Sequence, residues 1–116
     1  MGVVSSNYPF LRIKLMVGNF KEETSAYIDT GFDGYVIVPE ELLGKLGEPD
    51  YTSKWELGNG SIVEAGEYLG SLEIIGLDER IAARITALGE EFIIGRRVID
   101  RYRLILDHGE KVIVEK

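Results

Sequence analysis

Ala26-Tyr27-Ile28-Asp29-Thr30-Gly31-Phe32-Asp33-Gly34 is the stretch on which the reading of this chain turns. An apolar strand runs into a carboxylate, and the glycine two residues later lets the backbone turn sharply. A carboxylate at a strand end, among apolar side chains, sits where burial disfavours the charged form. The plainer alternative is an ordinary turn in which Asp29 accepts backbone N–H groups. The flanks decide between them.

Upstream, residues 10–17 alternate. Leu11, Ile13, Leu15 and Val17 point one way, and Phe10, Arg12, Lys14 and Met16 the other. That period of two marks a half-buried strand. Gly18-Asn19 is a hairpin turn with glycine where a type II′ turn wants it, and residues 20–28 form the return strand. Downstream, residues 35–38 are a short apolar run. Pro39 then opens a short helix, with Glu40 and Glu41 at its positive end. Leu42, Leu43 and Leu46 give that helix an apolar face, and Gly47 ends it.

Farther out, residues 51–57 read as a strand and Gly58-Asn59-Gly60 as a hairpin turn. A long arm returns over residues 61–75, with Gly66 and Gly70 as expected bends or bulges. Residues 80–88 alternate again, placing Ile81, Ala83, Ile85 and Ala87 on one face. Phe92-Ile93-Ile94-Gly95 leads into a short helix over residues 97–103. A last hairpin, residues 104–107 and 111–115, turns at His108-Gly109, where His108 is a turn residue. About eight short strands and two short helices predict an all-β domain, closed or sandwiched. There is an internal echo: 26–28 and 92–95 both run from apolar residues through a glycine toward a helix.

The chain has 116 residues, which fits a single domain over 1–116. It has no cysteine and one histidine, which excludes disulfides and argues against a structural zinc site. A net charge of −7 argues against nucleic acid as a partner, since a phosphate backbone calls for a basic face. No apolar run reaches the roughly 20 residues that cross a membrane, and residues 1–7 lack the pattern of a signal peptide. A soluble, cytoplasmic protein is the expectation, with no metal and no cofactor.

Three pieces occur in one order: Ala26 to Gly31, the hairpin Trp55-Glu56-Leu57-Gly58-Asn59-Gly60-Ser61-Ile62, and Phe92-Ile93-Ile94-Gly95-Arg96 before a helix. Together they resemble the retropepsin-like aspartic proteases, over nearly the whole chain and closest to the short prokaryotic members. The resemblance implies a small closed β-barrel of the acid-protease type with a flap hairpin. It implies Asp29 as the catalytic aspartate, Thr30 as the residue whose hydroxyl locks two Asp loops together, and Gly31 as the residue whose carbonyl faces the substrate. Asp33 and Arg96 stand where the retroviral members form a supporting ion pair, and Gly95 belongs to the same supporting loop. Phe32, Asp33, Gly58, Asn59, Gly60, Ile62 and Ile94 are the expected substrate contacts, with Val36 a further pocket candidate. Trp55 and Tyr68 either wall a subsite or belong to the core.

Aspartic protease chemistry needs two carboxyls sharing one proton. The chain has one Asp-Thr-Gly, and the echo at 92–95 carries no carboxylate. The resemblance therefore implies a homodimer with Asp29 from each copy near a two-fold axis, acting on a polypeptide held in extended form. Three departures stand out: the bulky Phe32 after the glycine, a hairpin tip without a glycine pair, and a C-terminal hairpin in place of a short interleaving strand. A catalytically silent peptide-binding module of the same fold, and a purely structural β domain, are the other two readings.

Overall fold

Alternation along the strands sets the architecture. The structure, a computed structural model, describes residues 2–116. Its strands are β1 (Gly2–Ser5), β2 (Phe10–Val17), β3 (Phe20–Ile28), β4 (Val36–Val38), β5 (Tyr51–Glu56), β6 (Ile62–Ile74), β7 (Ile81–Ala87), β8 (Ile93–Ile94), β9 (Arg103–Asp107) and β10 (Lys111–Glu115). A 3-10 turn, Glu40–Leu42, runs into helix α1 (Leu43–Leu46), and helix α2 spans Arg96–Ile99.

Six strands close into a barrel in the order β2-β3-β8-β4-β7-β6, with β6 returning to pair with β2. Closure removes the exposed edges that an open sheet of this size would present. β5 hangs outside, paired to β6 alone, and makes the hairpin. β1, β10 and β9 form a separate three-stranded sheet. The barrel core is built from the alternating residues: Leu11, Ile13 and Leu15 of β2, Ala26 and Ile28 of β3, and Ile81, Ala83, Ile85 and Ala87 of β7. Each fully buried Leu or Ile contributes about 1.5–3 kcal/mol. The small, closed all-β barrel expected from the sequence is the architecture found.

β2 and β3 occupy the predicted residues, and Gly18 takes a positive φ of 55° between them. Other details differ. Met16 is buried, not outward, because it lies where β2 is paired on both edges, against Lys21 and Ser71. Leu43 is exposed and reaches across Gly66, leaving Leu42 as the buried residue of that turn. Gly66 and Gly70 are not bulges, since the β6 ladders to β5 and β7 run through them without a skipped residue. At Gly70 a side chain would strike the Met16 carbonyl and the Ile85 methyl group, so the glycine lets β2 cross closely. α2 begins one residue earlier than predicted and stops at Ile99. β1 was not foreseen; it pairs antiparallel with β10, so the C-terminal hairpin carries a third strand. Of the N-terminal residues read for a leader, Met1 lies outside the described residues.

Candidate active site

β3 delivers Asp29. Tyr27 and Ile28 pair in parallel with Ile93 and Ile94 of β8, and the ladder ends as the Asp29 N–H donates to the Ile94 carbonyl at 3.0 Å. The chain then turns. The Gly31 N–H donates to Asp29 Oδ1 at 2.8 Å, and the Phe32 N–H to the Asp29 carbonyl at 3.2 Å. These contacts fix the carboxylate, which is half-buried, with Thr30 and Gly31 exposed beside it.

The following residues are clamped from the far side. The Gly95, Arg96 and Arg97 N–H groups donate to the carbonyls of Tyr35, Phe32 and Gly34 at 2.9, 2.8 and 3.0 Å. The free N–H groups that open any helix are thus spent here on the Asp29 loop. Gly95 must be glycine for this approach: a Cβ would stand 2.5 Å from the Gly34 carbonyl and 2.6 Å from that of Phe32. Gly95 thus touches the Asp29 loop through its N–H and through the space its missing side chain leaves.

The expected ion pair between Asp33 and Arg96 does not form. Arg96 Nε reaches Asp100 Oδ2 at 3.4 Å, one turn along α2. The helical turn aims the guanidinium along its own axis, and both side chains of that pair are more than half exposed. Asp33 is exposed at the mouth of a cleft that Arg97 also lines.

That cleft has a volume of about 360 Å³. Phe32 and Trp55 both line it and pack against each other with ring centroids 5.8 Å apart. Glu67, Thr86 and Ser53 lie deeper, and Lys54, Arg84 and Arg97 stand at its edge. Arg84 lies over the Tyr51 ring and Arg97 over the Tyr35 ring, at 5.7 and 5.9 Å. The Phe32 ring also covers Gly34 and Gly95. The bulky residue after Asp-Thr-Gly thus joins the Asp29 loop to the hairpin.

The hairpin tip is exposed at Gly58, Asn59 and Gly60, and Ile62 is 67% exposed. Gly60 has a φ of 86°, and Asn59 Oδ1 accepts the Ser61 N–H at 3.0 Å. Ile94 and Val36 cannot line a subsite. Both are fully buried, because β8 and β4 are barrel strands whose side chains here face inward. Tyr68 is a core residue too. Its hydroxyl donates to the Gly47 carbonyl at 2.7 Å, and burial, followed by the charges of Glu48 and Asp50, raises its pKa. His108 is the turn residue it was taken for, at a φ of 55°.

Sequence reasoning missed Ser53, Glu67 and Thr86. Alternation puts Ser53 and Trp55 on one face of β5, which was legible. Nothing local says that Glu67 of β6 and Thr86 of β7 share that face, since this depends on two ladder registers. Among the described residues, no group of three or more His, Asp or Glu converges as a metal site, and no helix is long and apolar enough to cross a membrane.

No protein-family model matches the chain, and no curated protein matches it in sequence. Solved structures do. A retropepsin-like aspartic protease from Rickettsia conorii superposes with a TM-score of 0.67 at 17% identity, covering 98% of this chain and 90% of that one. The simian foamy virus (mac) protease gives a TM-score of 0.54, also at 17% identity, over 78% of this chain and 91% of its own. At such identity the likeness speaks for the fold, and activity must be argued from the site. The barrel, the position of its hairpin and these neighbours agree that this chain has the retropepsin-like fold of aspartic proteases.

Proposed function

We propose that residues 1–116 form one aspartic protease domain that hydrolyses peptide bonds as a homodimer. The observation that carries this reading is the Asp29 loop itself. A half-buried carboxylate is fixed by the Gly31 N–H and clamped through its following backbone to residues 95–97, in a fold shared with aspartic proteases. Fixing a carboxylate before substrate arrives is what acid–base catalysis requires.

One chain supplies one such carboxylate, so the dyad needs a second copy. Asp29 and the partner subunit's Asp29 then share one proton. One carboxylate takes a proton from the attacking water while the other, protonated, donates to the scissile carbonyl. Thr30, exposed beside Asp29, meets the second loop in this reading. The peptide lies extended, between the Asp29 loops and the hairpins that carry Gly58, Asn59, Gly60 and Ile62. Phe32 and Asp33 contact its side chains.

A second reading has its own support. The cleft that Phe32 and Trp55 line is complete in one chain, whereas the dyad is not. A monomer would therefore bind a peptide segment without cutting it.

The test is cleavage of an unfolded protein from pH 3 to 8 by wild type and by Asp29→Asn, with sedimentation mass measured for both. The variant should lose roughly 100- to 10,000-fold in rate, while both proteins sediment at about 26 kDa, twice the 13.0 kDa chain. Equal cleavage by the variant would end the dyad reading. A stable monomer that binds peptide without cleaving it would favour the binding module.

A further inference from the structure

Glu67 is 2% exposed, and no ion pair accounts for its burial. The nearby cations, Lys54, Arg84 and Arg97, line the same cleft, and none lies within salt-bridge distance of it among the described residues. Burying a carboxylate is costly unless hydrogen bonds replace its water. Here three side chains do so. The Thr86 hydroxyl donates to Oε1 at 2.6 Å, the Ser53 hydroxyl donates to Oε2, and the Trp55 indole N–H points to the same Oε2 at 3.3 Å. The indole also donates to Ser53 Oγ at 2.8 Å, so the hydrogen bonds run in series from Trp55 through Ser53 to Glu67.

These groups come from three strands. Ser53 and Trp55 lie on β5, the strand outside the barrel, while Glu67 lies on β6 and Thr86 on β7. Glu67 and Thr86 are direct cross-strand partners within the barrel wall. The carboxylate thus ties the loosely attached strand to the closed one. The group it holds is Trp55, three residues before Gly58 of the tip, and the Trp55 ring faces Phe32, three residues after Asp29.

We propose that Glu67 is a positioning residue: its buried carboxylate sets the Trp55 indole against Phe32 and thereby fixes the base of the hairpin relative to the Asp29 loop. It touches neither substrate nor the reacting atoms. The geometric part stands without any activity. Its consequence for cleavage rests on the protease reading, in which a misplaced hairpin weakens peptide binding.

Trp55 is the only tryptophan, so its emission reports the indole directly. The test compares wild type with Glu67→Leu, Glu67→Gln and Ser53→Ala in the full chain. Leu keeps the bulk and removes every carboxylate acceptor, which leaves the Ser53 and Thr86 hydroxyls without that partner and the Trp55 indole with Ser53 Oγ alone. Gln keeps a carbonyl for Ser53 and Trp55 and turns its amide toward the Thr86 hydroxyl. Glu67→Leu should shift Trp55 emission to longer wavelength and increase its quenching by acrylamide. Ser53→Ala should do so less, and Glu67→Gln should stay close to wild type. In the cleavage assay Glu67→Leu should raise KM about fivefold, the worth of one hydrogen bond, with kcat nearly unchanged.

Unchanged emission and quenching in a folded Glu67→Leu would overturn the proposal. If that variant does not fold, Ser53→Ala decides, because its side chain is small and only half-buried; unchanged emission there overturns the proposal equally. A wild type that never cleaves, combined with the emission shift in the variants, would remove the protease reading and leave the positioning role standing.

Discussion

Between Asp29 and Tyr35 the backbone is bonded outward, to residues 94–97: Asp29 to Ile94, Phe32 to Arg96, Gly34 to Arg97 and Tyr35 to Gly95. Between Leu57 and Ser61 the backbone is bonded to itself. Leu57 N–H donates to the Ser61 carbonyl, Gly60 N–H to the Leu57 carbonyl, and both Ser61 donors go to Asn59. The glycines say the same. A Cβ on Gly95 would meet backbone oxygens at about 2.5 Å, whereas one on Gly58 would meet nothing within 4 Å. One segment is held by the barrel, and the other is a self-contained turn at the end of a two-stranded arm. That contrast is what the proposed protease reading asks for, a carboxylate fixed before reaction and a hairpin free to move. It also locates the coupling between the two, in the Phe32–Trp55 contact that Glu67 supports.

The contrast can be broken or sharpened by mutation. The largest effect is expected at Gly95→Ala, where the intruding methyl would strike two backbone carbonyls and the Phe32 ring. A loss of about 3 kcal/mol in urea denaturation is the expectation, and a loss below about 0.5 kcal/mol would show that the clamp gives way easily. Next comes the tip. Gly60→Ala forces a side chain into a φ of 86° and should cost about 1 kcal/mol. Gly58→Ala, with open space around it, should stay within about 0.5 kcal/mol of wild type. A large loss at Gly58 would mean the tip is packed against something and not free.

The smallest effect tests the outer end of the clamp. Tyr102 follows α2, and its hydroxyl donates to Glu79 Oε1 at 2.5 Å. Burial, with the Glu79 hydrogen bond and charge behind it, pushes the Tyr102 phenol from 10.0 up to about 12. A raised phenol pKa means that the folded state holds the proton more tightly. The stabilisation is complete below pH 10 and is lost as pH rises toward 12. Glu79 is the opposite case. The Tyr102 hydrogen bond chiefly lowers its pKa, so its contribution is present above the ordinary value of 4.5 and fades as pH falls below it. Tyr102→Phe should cost about 1 kcal/mol at neutral pH and flatten the stability curve between pH 10 and 12. Amide exchange at residues 57–61 should not change, since the tip has no bond to this end. Faster exchange at the tip would show that the two regions are less separate than their hydrogen bonds suggest.

Legibility in the sequence tracked the range of the interactions. β2, β3, β7 and the β9–β10 hairpin were readable because alternation and turn glycines are local. The Asp29 motif was readable for the same reason, as an apolar strand running into Asp-Thr-Gly. The Arg96 partner was misread as Asp33, because a guanidinium one turn from Asp100 has a nearer partner on its own helix. Ile94 read as a pocket residue, since an apolar side chain beside the Asp-Thr-Gly loop looks the same whether it faces the cleft or the core. Gly70 read as a bulge, since a glycine in a strand does not reveal whether the chain kinks there or another strand crosses close by.

The sequence by itself determined the strand alternation, the turns, the lone Asp-Thr-Gly and the absence of any second carboxylate motif, because these depend on neighbours within a few positions. The tertiary structure alone decided that β2 closes the barrel on β6, that residues 95–97 clamp the Asp29 loop, and that Glu67, Thr86, Ser53 and Trp55 meet. The contacts around the Asp29 loop join residues up to 65 positions apart, from Asp29 to Ile94. Ladder register and barrel closure bring them together, and neither is written in any local stretch of the chain.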